Sequence, residues 1–119
     1  MIPDATGAYL LIQRPPAGLL GGLWGFPGGA LQAGEAYTVG LCRTIREQVG
    51  IEVSVGEPVT RIAHAYTHFR ITLHAYRCQL AGGEPRPLRC AAVRWVASGA
   101  LRDLAFPVTD ARIMRALEG

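Results

Sequence analysis

Apolar residues recur along this chain with two different periods. Tyr37, Leu41, Ile45 and Val49 stand four residues apart, with Thr38 and Cys42 beside them. That spacing predicts one helix with a single apolar stripe. Gly50 follows where a left-handed residue would end the helix. At about 100° per residue, Thr44, Glu47 and Gln48 share one arc at the edge of the stripe. Polar residues in that arc either aim inward at a ligand or face water. Elsewhere the period is two, or the run is continuously apolar. Ala8–Arg14 is nearly all apolar and reads as a first strand buried on both faces. Pro15 and Pro16 end it. Residues 18–29 carry six glycines and one proline, which predicts a loop with a short strand around Leu23–Phe26. Trp24 and Phe26 are expected to fill core.

Downstream of the helix, Glu52–Glu57 reads as a polar connection or short strand closed by Pro58. Two strands are predicted after it, about Val59–Tyr66 and Phe69–Gln79. The second places Phe69, Ile71, Leu73 and Ala75 on one face and Arg70, Thr72, His74 and Tyr76 on the other. Tyr66, Thr67 and His68 form the turn between them. Ala81–Pro87 is a loop, Val93–Ala97 a short strand, and Ser98–Leu104 a turn or single helical turn. The last helix runs from about Thr109 to Leu117 and packs through Ile113, Met114 and Leu117.

At 119 residues the chain is expected to be a single domain, residues 1–119. Half of it is apolar, which argues against disorder. No apolar run is long enough to span a bilayer, so no membrane partner is expected. The opening residues, MIPDATG, lack the charged and apolar regions of a secretory signal. Cys42, Cys78 and Cys90 are an odd number of well-separated cysteines with no CxxC pair. That gives no support to a structural zinc site or iron–sulfur cluster and fits a cytoplasmic protein with buried thiols. The net charge is +3, and all twelve basic residues are arginine. Arginine forks onto phosphates and base edges, but a mild excess decides little by itself.

Residues 28–51, GGALQAGEAYTVGLCRTIREQVGI, resemble the Nudix box, G-x5-E-x7-R-E-U-x-E-E-x-G-U with U apolar. Gly29, Glu35, Arg43, Ile45, Glu47, Gly50 and Ile51 stand at matching positions. Thr44 and Gln48 replace two of the glutamates that, with the one matched by Glu47, hold divalent metal in the hydrolases of this family. Mg²⁺ demands hard charged oxygens, and a phosphate substrate adds negative charge of its own. A hydroxyl and an amide cannot supply that counter-charge. The resemblance also implies that Glu35 pairs with Arg43 and ties the loop to the helix. The scaffold half of the box is therefore kept, and the metal half is reduced to Glu47.

Three further segments are similar to the C-terminal, Nudix-like domain of adenine DNA glycosylases. In the first, Arg14, Pro15, Gly18, Leu19, Leu20, Gly22, Leu23, Trp24, Phe26 and Pro27 match, with Gly25 in place of the usual Glu. The second is HAYTHF at residues 64–69, where His64, Thr67, His68 and Phe69 match or nearly match, Tyr66 replaces Phe and Thr67 replaces Ser. The third is the ending, where Ala105, Phe106, Pro107 and Ile113 match and Arg112 replaces Lys. In that family the second segment approaches 8-oxoguanine in DNA. Guanine offers a bare N7 acceptor, whereas 8-oxoguanine offers an N7–H donor and a C8 carbonyl. A hydroxyl both donates and accepts, so Thr67 could satisfy either group. Read without the resemblance, His64 and His68 are turn and cross-strand residues and Tyr66 is core.

The resemblance implies an α/β Nudix fold, a mixed and curved β-sheet sandwiched between the Nudix helix and a C-terminal helix. It implies a domain that binds DNA containing 8-oxoguanine through Tyr66, Thr67 and His68, with Arg70 or Arg46 on phosphate and no cofactor. The catalytic Asp and the iron–sulfur cluster of a glycosylase belong to a separate helical domain that these residues do not contain. Adenine removal would therefore need such a domain in cis or in trans. The alternative is a Mg²⁺-dependent hydrolase of nucleoside di- or triphosphates, oxidised ones included. Glu47 would then be the catalytic metal ligand, and Glu84 or another loop carboxylate would have to compensate.

Overall fold

The computed structural model describes residues 1–16, 21–65, 67, 70–104 and 106–118. Strand β1 (Ala8–Gln13) pairs antiparallel with β2 (Trp24–Gly25) on one side and β5 (Ala92–Ala97) on the other. Strands β3 (Glu52–Ala65) and β4 (Arg70–Gly82) form a long antiparallel hairpin of their own. Helix α1 (Tyr37–Val49) follows the β2 loop, a 3₁₀ segment (Ser98–Asp103) follows β5, and α2 (Val108–Glu118) comes last. The fold is α/β, as expected. The single mixed sheet is corrected to two sheets in which every described pairing is antiparallel.

β1 is buried on both faces, as its continuous apolar run requires. Leu10 and Ile12 pack with Ile45 and Val49 of α1 and with Ile51, Val53 and Cys78. Leu11 points the other way, toward Val96 and Leu101, with Trp24, Phe26, Phe106 and Met114 around them. A third cluster joins Ile113 of α2 to Ile62 and Ala75 of the hairpin. The strands thus lie between the two helices. Trp24 and Phe26 are half-buried core residues, as expected.

Helix α1 starts and stops where its stripe does. Gly50 takes φ 74° and donates its N–H to Arg46 O, the left-handed cap that glycine adopts without strain. Pro58 does not close a strand, contrary to expectation. β3 runs through it, and the pairing shifts register on both sides, between Val55 and Pro58 and between Pro58 and Thr60. A proline lacks the ladder donor, so it is tolerated at such an irregularity. Strand β4 likewise reaches Gly82, beyond the predicted end at Gln79. Gly18, Leu19, Leu20, Tyr66, His68, Phe69, Ala105 and the Leu117 side chain lie outside the described residues.

Candidate functional site

The expected tie between loop and helix is present and bidentate. Arg43 donates through Nε to Glu35 Oε2 at 2.8 Å and through Nη2 to Glu35 Oε1 at 2.9 Å. Glu35 Oε1 also accepts the backbone N–H of Gln32 at 3.0 Å, and Arg43 Nη2 reaches the carbonyl of Ala30 at 3.0 Å. The guanidinium therefore holds the loop before the helix at Ala30 and Glu35, and Glu35 in turn holds Gln32. The Arg43 fork and the Gln32 amide hold the Glu35 carboxyl at about 2, well below the usual range. The same pairing raises the Arg43 guanidinium above its ordinary value. Gly40 is buried beneath this pair, and a side chain there would meet Leu31 and the Glu35 carboxylate.

The three positions of the metal half behave differently from one another. Thr44 is buried, and its hydroxyl donates back to the carbonyls of Gly40 at 2.9 Å and Leu41 at 3.1 Å. Its methyl group lies 3.1 Å from where a Cβ on Gly29 would stand. Gln48 closes a ring with one residue of the loop. Its Oε1 accepts the Gly28 N–H at 2.8 Å, and its Nε2 donates to the Gly28 carbonyl at 2.8 Å. Glu47 is bound by Arg43 Nη1 at 2.7 Å and lies 3.9 Å from Arg89 Nη1.

These groups do not fit a divalent cation. Thr44 and Gln48 carry no charge, and their polar atoms are taken up in protein hydrogen bonds. Glu47 has guanidinium partners already. Glu84 is exposed just after β4, and among the described residues no three His, Cys, Asp or Glu side chains stand close enough to hold a metal.

The hairpin turn carries the other candidate. Thr67 is exposed at the bend between β3 and β4. Of the two arginines considered for phosphate, Arg46 is committed to Glu52 in a bidentate pair at 2.5 and 2.8 Å. Arg70 is exposed at the start of β4. The three cysteines are free thiols, and burial pushes Cys78 and Cys90 above their ordinary value.

Two residues that shape the site gave no signal in the sequence pattern. Arg89 reaches Glu47 because the backbone N–H groups of Leu88 and Arg89 donate to Gln48 O at 3.0 and 3.1 Å, which folds residues 86–90 over the end of α1. Asp110, in the first turn of α2, is 5% exposed and accepts the Phe26 N–H at 3.1 Å through Oδ2. That oxygen occupies the place a Cβ on residue 25 would take. A side chain at position 25 would therefore have to displace the Asp110 carboxylate.

The family model described as NUDIX domain matches residues 1–116. This chain is a Nudix domain. Its curated relatives include both proteins named for nucleotide hydrolysis and adenine DNA glycosylases. It is 40% identical over 114 residues to "Putative 8-oxo-dGTP diphosphatase 2" of Mycobacterium tuberculosis, covering 89% of this chain and 77% of that protein. It is 28% identical over 120 residues to the adenine DNA glycosylase of Rattus norvegicus, covering 98% of this chain but 23% of the glycosylase. Among solved structures it resembles in fold the MutT NUDIX hydrolase of Burkholderia pseudomallei, with TM-score 0.87, 24% identity, and coverage of 97% of this chain and 92% of that one. Among the described residues no helix is long and apolar enough to cross a membrane.

Proposed function

We propose that this Nudix domain recognises an 8-oxoguanine base, presented in DNA, and does not itself hydrolyse a phosphoanhydride. The observation that carries the second half is the Gln48–Gly28 ring together with the inward hydroxyl of Thr44. Two of the three positions that would charge the box spend their polar groups on the fold. The first half is supported by the names of two of the relatives, one a diphosphatase of 8-oxo-dGTP and the other an adenine DNA glycosylase. It is supported too by the exposed Thr67 hydroxyl at the hairpin bend, next to Tyr66 and His68 in sequence. A good base contact of this kind discriminates by about 1–3 kcal/mol. A glycosylase catalytic domain, in cis or in trans, would supply base excision.

A second reading is favoured by the 40% identity to the putatively named diphosphatase. It is a Mg²⁺-dependent nucleotide hydrolase in which Glu47 is a metal ligand and Glu84 or another loop carboxylate compensates for Thr44 and Gln48. One experiment separates the two: phosphate and pyrophosphate release from a nucleotide panel that includes 8-oxo-dGTP, with Mg²⁺ and with EDTA. Background rates across the panel, with binding of 8-oxo-dGMP tighter than of dGMP, are expected. A Mg²⁺-dependent rate that Glu47→Gln abolishes would establish the hydrolase instead.

A further inference from the structure

The β3–β4 hairpin extends past the start of α1 and leaves one face bare. By the register of the ladder, Arg61 stands opposite His74, Ala63 opposite Thr72, and Ala65 opposite Arg70. Alternation puts these six side chains on one face. Ile62, Leu73 and Ala75 lie on the other, packed with Ile113 of α2. Five of the six, all but the half-buried His74, are exposed. At the α1 end the face is bounded by Tyr37, which is 48% exposed and stacks on His74 with ring centroids 4.1 Å apart. At the other end stands Thr67.

The chemistry of this face is one-sided. It holds two arginines and no carboxylate. Among the described residues neither Arg61 nor Arg70 enters an ion pair, whereas Arg43, Arg46 and Arg89 all have acidic partners. Between the two arginines lie only Ala63, Ala65 and Thr72, small enough for a backbone to approach. Four residues along a strand and one strand across put Arg61 and Arg70 roughly 14 Å apart at the backbone. That is close to the ~12 Å width of the DNA major groove, so two flexible guanidiniums can address phosphates on its opposite walls.

We propose that this face docks the phosphate backbone of duplex DNA, with Arg61 and Arg70 as the contacts. It rests on the reading of a DNA-borne 8-oxoguanine and supplies the sequence-independent part of that binding. Phosphate contacts position a protein without reading sequence, so the face should act equally on damaged and undamaged duplexes.

The test is salt-dependent binding of two duplexes, one with an 8-oxoguanine·adenine pair and one without, to the wild-type chain, Arg61→Ala/Arg70→Ala, and the control Arg77→Ala/Arg94→Ala. The control removes the same charge from exposed positions elsewhere. The Arg61/Arg70 variant should bind both duplexes about ten-fold more weakly. The magnitude of its log K against log salt slope should fall by about 1.8, since each phosphate contact contributes about 0.9. Arg61→Lys/Arg70→Lys should keep most of the slope. An unchanged slope in the alanine variant, an equal fall in the control, or no duplex binding by the wild type would each overturn the docking face. The base-recognition reading is judged separately, by the wild-type preference for 8-oxo-dGMP over dGMP, which does not involve the two arginines.

Discussion

Gln48→Glu is the most informative single change, because it alters one atom of the Gly28 ring. In the native ring the amide donates to the Gly28 carbonyl and accepts from the Gly28 N–H, both at 2.8 Å. Only an amide in this orientation satisfies both groups. A carboxylate keeps the accepted bond, but its second oxygen then faces a carbonyl, acceptor against acceptor. The loss comprises one hydrogen bond, about 1 kcal/mol, and a partly buried carbonyl left short of a donor, about 1–3 kcal/mol. A total of about 2–4 kcal/mol is expected, which for a 119-residue chain corresponds to a fall in Tm of roughly 8–16 °C. The two facing acceptors are also what a hard cation bridges. Divalent metal should therefore stabilise Gln48→Glu and leave the wild type unmoved. At ten times its Kd, a cation bound only to the folded state returns about 1.4 kcal/mol. Thermal denaturation in EDTA and across a Mg²⁺ and Mn²⁺ series measures both effects, with Gln48→Met as the variant that loses the ring but gains no charge. A Tm within a degree of wild type in EDTA would refute the reasoning about the ring. A fall that metal fails to repair, or repairs equally in Gln48→Met, would refute the idea that the amide does a cation's work here.

Other changes test the remaining parts of the site. Thr44→Glu with Gln48→Glu should raise Mg²⁺-dependent pyrophosphate release above the parent's background, and no rise would mean that more than these two positions was lost. Glu35→Gln should destabilise the fold at neutral pH by breaking the Arg43 fork. Because the Glu35 carboxyl is depressed from 4.5 to about 2, its contribution is full above about 4.5 and is lost as pH falls toward 2. Urea midpoints for wild type and Glu35→Gln should therefore converge over that interval, and a constant gap would contradict the assignment. Gly25→Ala should cost about 1–3 kcal/mol by driving the new methyl group against Asp110. Pairing it with Asp110→Ala should cost less than the two single changes summed, as a double-mutant cycle in urea would show.

Where local chemistry decides an element, the sequence was enough. The four-residue stripe and Gly50 bounded α1 at both ends, and the matched Glu35 and Arg43 were joined as the box resemblance implied. The rest turns on partners that no periodicity in the chain announces. Pro58 looked like a strand end because a proline breaks a regular ladder, yet β4 supplies an irregular partner that absorbs it. Arg46 and Arg70 are equivalent candidates for phosphate in the sequence, and in the structure Glu52 occupies the first. Arg89 and Asp110 reach their contacts from 42 and 84 residues away, from Glu47 and Phe26 respectively, distances over which no periodicity carries information.

The split between the two halves of the box explains how the fold tolerates the loss of one. Glu35, Arg43 and the carbonyl of Ala30 hold the loop to the helix from one side. Gln48 holds it from the other through Gly28. A loop tied at both ends by protein groups keeps its shape without metal, so selection on fold alone would preserve Glu35, Arg43, Gly40 and Gly50 after the carboxylates at 44 and 48 had gone. Of the charged letters of the box, Glu35 and Arg43 remain and tie the loop to the helix, whereas two of the three whose charge a cation would use are replaced. A box in that pattern supports the proposed reading of a domain that binds without cleaving. The same pattern makes Glu47 the telling residue. With Arg43 and Arg89 as its partners, its carboxylate has a structural use, so its presence does not by itself argue for hydrolysis.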